Sequence, residues 1–255
     1  MNPTSLFTTP PVFTQFPNLI AAESTRHGGI SPAPFTSLNL GLNTADAPEN
    51  VAKNRQYFFA ALGPDCSESR VASSYQVHGT EILHATEPGR FSGYDALITS
   101  QPGLFVAVSI ADCVPVLIYD AENQAVAAIH AGWRGTVGQI VNKTLLAMQN
   151  TFGTQPAHCH AYVGTCIDET SFEVGADVAE QVEAAFKRNA TTGDKWFVDL
   201  KAANVRQLTD FGIPIAQIGI SPFSTVLNNA DYFSHRQEHG QTGRMLAVMG
   251  LKMSN

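Results

Sequence analysis

The order of apolar runs predicts an α+β fold built on a mixed β-sheet. Short β-branched or apolar segments follow one another between residues 70 and 130 with no helix among them. Several are apolar at consecutive positions, as strands covered on both faces are. Segments with helical periodicity lie before and after this block instead of alternating with its strands, which argues against a doubly wound sheet.

The first helix follows Asp46. Asp46-Ala47-Pro48-Glu49 reads as an N-cap acid, a proline in the first turn and a capping-box glutamate. Val51, Phe58, Phe59 and Leu62 give this helix its apolar side, and Gly63-Pro64 stops it. Strands are expected at 70–75, 81–84, 96–99, 104–110, 116–119 and 125–130. A helix over about 136–152 follows from Val137, Val141, Thr144, Met148 and Phe152. Then come a strand at 161–163, helices near 174–187 and 200–211, and closing strands at 215–220, 231–234 and 245–250. No repeat or linker divides residues 1–255, so one catalytic domain is expected.

Composition narrows the function. With 44% hydrophobic and 15% charged residues, the chain suits a well-buried enzyme. A net charge of −7 without long basic runs excludes a nucleic-acid binder. An anionic substrate would therefore need a few focused arginines. No apolar run reaches the roughly 20 residues of a membrane helix, and the N-terminus lacks the pattern of a secretory signal. Cys66, Cys113, Cys159 and Cys166 are too sparse for a disulfide framework. The expectation is a cytoplasmic protein with reduced thiols and no membrane contact; no partner chain can be inferred.

Four segments carry chemistry. Gln76-Val77-His78-Gly79-Thr80 places a histidine in a polar turn between two strands. In Ala111-Asp112-Cys113-Val114-Pro115, an acid and a cysteine interrupt an apolar strand pair, and a buried acid needs a partner. Pro115 cannot donate to a sheet ladder, so pairing is expected to break just after Cys113. His130-Ala131-Gly132-Trp133-Arg134 ends a strand and opens a helix, whose first N–H groups with Arg134 suit an anion. Phe233-Ser234-His235-Arg236, with Thr242-Gly243-Arg244 beyond it, adds further cations.

Two histidines and one cysteine, His78, Cys113 and His130, make a three-ligand set for zinc. Catalytic zinc sites keep a fourth position open, and copper suits the same donors. Their wide spacing favours a catalytic over a structural site. His158-Cys159-His160 is the rival cluster, although on a strand Cys159 would point away from the two histidines.

The motifs QVHGTE (76–81), ADCVPVLIYD (111–120), AAIHAGWRGTVGQIV (127–141) and FSHR with TGR (233–236, 242–244) resemble the YfiH family. Its members have also been described as laccase-domain polyphenol oxidases and as peptidoglycan editing factors. Arg26-His27-Gly28-Gly29, Ser37-Leu38-Asn39-Leu40-Gly41 and Asn50-Val51-Ala52-Lys53-Asn54 match its opening, and the resemblance spans roughly residues 20 to 250. It implies layered mixed β-sheets flanked by helices, a cysteine-hydrolase fold related to the catalytic domain of deamidating toxins, with His78, Cys113 and His130 as metal ligands. It also implies a purine nucleoside phosphorylase that takes adenosine, inosine, guanosine or methylthioadenosine with phosphate, and that deaminates adenosine. Under that reading Arg134, helped by Arg236 or Arg26, holds phosphate. Asn39, Gln76 and His235 complete the substrate contacts, and Asp112 or His235 moves protons.

The sequence departs from the family pattern at Gly164-Thr165-Cys166-Ile167-Asp168, at Ser221-Pro222-Phe223-Ser224-Thr225 and at Arg236-Gln237. These positions are expected at the pocket rim. Three alternatives stand beside the nucleoside enzyme. The first is a copper-dependent polyphenol oxidase: a full multicopper site needs many paired histidines and this chain has eight with one His-x-His pair, which leaves single-site copper chemistry. A cysteine hydrolase editing peptidoglycan precursors would use Cys113 as nucleophile with His130 or His78 as base. A non-catalytic adaptor would hold its metal structurally.

Overall fold

The computed structural model describes residues 5–190 and 193–253. Strands β1 (Phe7–Thr8) and β2 (Leu19–Ser24) precede helix α1 (Pro48–Ala61). Seven strands follow: β3 (Val71–Tyr75), β4 (Ile82–His84), β5 (Gly89–Ser92), β6 (Ala96–Thr99), β7 (Phe105–Ile110), β8 (Val114–Asp120) and β9 (Ala125–Ala131). Helices α2 (Trp133–Val137) and α3 (Ile140–Phe152) lead to β10 (Cys159–Val163), β11 (Glu173–Val174) and α4 (Ala176–Ala179). The chain closes with β12 (Lys187–Asn189), β13 (Trp196–Val198), α5 (Leu200–Phe211), β14 (Ile218–Ile220) and β15 (Met245–Leu251).

These strands form two six-stranded mixed sheets, ordered β1-β2-β15-β7-β3-β5 and β14-β10-β8-β9-β6-β4, with a small β11-β13-β12 sheet beside them. Alternation along the central strands explains the layering. Val106 and Val108 of β7 meet Leu117 and Tyr119 of β8 and Val126 and Ala128 of β9 between the two sheets. Their neighbours Phe105 and Ala107 face Phe58 and Phe59 of α1. On the far side, Val116, Ile118, Ala127 and Ile129 pack on Val141, Leu145 and Met148 of α3 and on Leu208 of α5. The order is therefore helix, sheet, sheet, helices, which is why these strands read as unbroken apolar runs.

Several expectations are corrected. The cap of α1 is Ala47, without a side-chain bond. Asp46 instead accepts from Ser31 Oγ and Asn39 Nδ2 at 2.6 and 2.9 Å, fixing the preceding loop. The helix expected at 136–152 is two, because Gln139 adopts a left-handed φ of 63° between them. Residues 174–187 hold the four-residue α4 and a short 3-10 turn instead of one helix. There the chain turns back so that β12 can pair with β13. Residues 231–234 are a turn, not a strand. Pairing does not break after Cys113: Pro115 is the second residue of β8, opposite His130 of β9. The break comes one residue before the cysteine, at Asp112, whose φ is 83°.

Candidate active site

The strand β3 pairs with β7 only through Val71 and Ala72, then diverges. Past the split, the Gln76 side chain restores the link, donating to Ser109 O and accepting from Ser109 N at 2.8 Å each. Between the splayed strands lies a cleft of about 490 Å³. Its walls include Ser73, Tyr75 and Gln76 of one strand and its continuation and Ala107 and Ser109 of the other, and His78, Cys113 and His130 line it as well.

Three backbone features bring those ligands together. Cys113 lies in the link by which the chain passes from β7 of one sheet to β8 of the other. His130 is the penultimate residue of β9. His78 follows β3 with a left-handed φ of 60°. Their ligand atoms all lie within 4.8 Å of one another, and the two imidazoles meet edge to face, 4.8 Å between centroids. Gly132 makes room for the group. A Cβ there would come within 3.0 Å of His78 Cδ2 and 3.2 Å of Cys113 Sγ.

One buried carboxylate organises two of the three. Asp95 Oδ1 accepts from His130 Nδ1 at 2.8 Å and from His78 N at 2.9 Å. Its Oδ2 accepts from Gly79 N and Val77 N at 2.7 and 3.1 Å. The same residue's carbonyl accepts from His130 N at 2.7 Å. Asp95 thus fixes the His130 ring, leaving Nε2 free, and holds the turn that carries His78. The sequence reading missed it. The available signal was an acid directly before the wholly buried strand β6, a place where a charge needs partners.

The electrostatics follow. Burial works against the Cys113 thiolate, but His130 and His78 prevail and hold its pKa at about 6. Burial works against a charged His130 too, yet the thiolate and Asp95 raise it to about 9. Asp95 stays below the usual carboxylate range despite its burial, through His130 and the backbone N–H groups. The other cysteines, Cys66, Cys159 and Cys166, lack such partners, and burial pushes each up to about 12. A thiolate and two imidazoles suit zinc or copper, and donor atoms this close can converge on one ion.

Of the remaining expected residues, Asp112, Gln76, His235 and Arg236 line the cleft. The Asp112 carboxylate is already engaged, by Thr225 Oγ1 at 2.5 Å and Arg236 N at 2.6 Å. Asn39 lies fully buried behind the wall, accepting from Gly41 N and Arg244 N. Arg26 and Arg134 are not brought to the cleft. The Arg26 guanidinium is held by Thr36 O, Asn229 O and Glu238 and lies over the Phe233 ring. Arg134 is exposed and lies over the Trp133 ring, on a helix of only five residues. His160 of the rival cluster meets Phe16 edge to face and contacts Gln217, and no metal group forms there among the described residues. The cleft also recruits Arg244, which the sequence offers as a further cation without a role, and Arg55 and Arg90, to which it gives none.

The two five-residue segments that depart from the family pattern lie mostly behind the cleft, not at its rim. Thr225 N donates to Cys166 O at 3.0 Å and the Thr165 and Ser221 hydroxyls meet at 2.8 Å. Ile167 is the one residue of these two segments lining the cleft among the described residues.

Paired mixed sheets with a two-histidine, one-cysteine centre at their ends define a layered α+β protein with a candidate metal site. The family model described as multi-copper polyphenol oxidoreductase laccase matches residues 20–252, and the chain belongs to that laccase-domain or YfiH family. A purine nucleoside phosphorylase of Deinococcus radiodurans is 41% identical over 243 residues, covering 92% of this chain and 91% of that protein. The purine nucleoside phosphorylase YfiH of Escherichia coli is 34% identical over 249 residues, covering 94% and 97%. The crystal structure of Bacillus licheniformis YfiH superposes with a TM-score of 0.90 at 29% identity, covering 99% of this chain and 100% of that one.

Proposed function

We propose that this protein is a cytoplasmic purine nucleoside phosphorylase and adenosine deaminase acting as one catalytic domain with zinc at His78, Cys113 and His130. One observation carries the reading: this ligand group lines a nucleoside-sized cleft in a chain closely similar to proteins named as purine nucleoside phosphorylases. A single three-ligand group among the described residues favours one-metal chemistry over a multicopper oxidase. When bound, the metal would supply Lewis acidity and an activated water for attack at purine carbon 6.

The chain's own residues would do the rest. Tyr75, Trp133 and Phe172 line the cleft with aromatic surface for the purine. In phosphorolysis a phosphate oxygen bonds to ribose C1′ as the C1′–N9 bond breaks. The electron pair leaves with the base, and a proton is delivered to its N7. His235 faces the cleft as the group to deliver that proton, while the Asp112 carboxylate accepts from Thr225 Oγ1 and Arg236 N and holds the His235–Arg236 turn. Asp95 would hold His130 in one tautomer throughout.

Incubating the purified protein with adenosine, with and without phosphate, tests the reading. Adenine and ribose 1-phosphate should appear only with phosphate, and inosine with or without it. Neither product from a fully metal-loaded sample would refute the proposal.

A second reading is favoured by the Asp95–His130–Cys113 line, which is also the order of groups in a cysteine hydrolase. Turnover that survives chelation but is abolished by alkylating Cys113 would establish it over the first.

A further inference from the structure

Four guanidinium groups line the cleft, and among the described residues only that of Arg55 has an ion-pair partner. Arg55 is buried and paired with Glu68 at 2.5 Å. Arg90 is exposed and donates to Asn43 Oδ1 at 2.6 Å. Arg236 is exposed, lies over Phe172 and donates to Ser171 O and Glu173 O. Arg244 differs. Like Arg90 and Arg236 it makes no ion pair among the described residues, but of these three it alone is partly buried. Its Nη1 donates to the carbonyls of Thr242 and Gly243 at 2.9 Å each, while Nε and Nη2 take no partner among the described residues.

The surrounding backbone holds this arginine in place. Arg244 N donates to Asn39 Oδ1 at 2.9 Å, and Leu40 N donates to Arg244 O at 3.0 Å. Gly41 lets the stem lie flat, since a Cβ there would stand 2.6 Å from Arg244 Cγ. Asp112, Cys113 and Glu238 attract the guanidinium from a distance. The Asp112 oxygens are engaged by Thr225 and Arg236 N, and those of Glu238 by Arg26, Asn229, Ser234 N and Thr242. Burial lowers the pKa of the Arg244 guanidinium, as expected of a cation without a contact partner. An oriented, partly desolvated fork with two open donors is what a tetrahedral oxyanion satisfies by two parallel hydrogen bonds.

We propose that Arg244 is the anion-holding residue of the cleft, its Nε and Nη2 edge binding inorganic phosphate beside the His78–Cys113–His130 group. The identity of the anion rests on the phosphorylase reading; the anion site itself does not. It replaces Arg26 and Arg134, neither of which lines the cleft.

The test titrates inorganic phosphate into the metal-loaded protein, reading thermal stabilisation, and measures KM for phosphate and for adenosine separately. The proteins compared are the wild type, Arg244→Gln, Arg244→Lys and Arg236→Gln. Arg244→Gln should lose the phosphate-dependent stabilisation and raise the phosphate KM about tenfold or more, with the adenosine KM within about twofold. Arg244→Lys keeps charge without the fork, and should fall between wild type and Gln even if the Gln variant folds poorly. An unchanged phosphate KM in Arg244→Gln, a phosphate effect moved instead by Arg236→Gln, or no phosphate binding by the wild type would each overturn the proposal. Phosphate binding lost with Arg244 in a protein that performs no phosphorolysis would keep the anion site and remove the phosphorylase reading. Phosphorolysis indifferent to Arg244 would do the reverse.

Discussion

The candidate metal group and the cationic wall of the cleft are built by opposite means. His78, Cys113 and His130 are short side chains delivered by backbone: a turn after β3, the β7–β8 link and the end of β9. The arginines are long side chains whose heads go wherever hydrogen-bond partners draw them. Arg26 and Arg134 stand in segments as distinctive as those of the ligands, yet one is consumed by Glu238 and two carbonyls and the other lies over a tryptophan. Position along a strand fixes a short ligand, whereas position in sequence says little about where a guanidinium ends.

The largest expected effect removes the backbone-delivered group outright. Cys113→Ala should lose turnover and stoichiometric zinc together, with the fold kept, measured by metal analysis and circular dichroism. Full activity in a metal-free Cys113→Ala protein would break the assignment. The thiol can also be followed directly. In chelated protein, iodoacetamide should label Cys113 ahead of the other three cysteines at pH 7. A thiol whose pKa is held at about 6 is mostly thiolate there, while those pushed to about 12 are not. The labelling rate should fall as pH drops below about 6, and metal should protect. Peptide mass spectrometry reads both.

Next is Asp95→Asn, which keeps size and removes acceptor capacity. The carboxylate accepts four N–H bonds, and an amide would turn its NH2 toward some of those donors. Zinc affinity should fall about 10- to 100-fold by chelator competition. A merely structural role would lower apoprotein stability and leave zinc affinity alone, and that result would refute the organising role.

Gly132→Ala is milder. Its Cβ would press on His78 and Cys113 at 3.0 and 3.2 Å, displacing them by a few tenths of an ångström. Zinc affinity should fall about three- to tenfold, with Arg244-dependent phosphate binding unchanged. That separation would mean that the three-residue group and the Arg244 site are built independently.

The same contrast explains what was legible in the sequence. Strand β6 and helix α5 lie where periodicity put them, because alternation and the 3.6-residue repeat report burial directly. Strands β2 and β5 were missed: β2 carries a buried Glu23, and β5 reads Gly-Arg-Phe-Ser, with no apolar run in its four residues. The 174–187 stretch has helical composition, and pairing between β12 and β13 overrode it. In the site, His78, Cys113 and His130 are each unremarkable alone and become legible as a candidate ligand set through their donor chemistry together with the family motifs that carry them. Asp95 does not, since an acid after Gly93-Tyr94 looks like an ordinary turn residue. Its role depends on N–H groups 16 to 18 residues away.

The smallest effect is the sharpest test of the comparison, because the two ways of reading the arginines give opposite answers. From sequence, Arg134 at a helix start beside His130 is the natural phosphate ligand, and its loss should raise the phosphate KM strongly. In the structure its guanidinium lies over Trp133, exposed, and it does not line the cleft. The helix it opens has five residues, and the first turn is crowned by Gly132 against the metal ligands rather than by open space. Arg134→Ala should therefore leave the phosphate KM within about twofold of wild type. Stability should change by about 1 kcal/mol or less, the worth of an exposed cation–π contact. A tenfold rise in phosphate KM would mean that the Arg134 side chain swings into the cleft when phosphate arrives, and long side chains would then be placed by ligand as much as by fold.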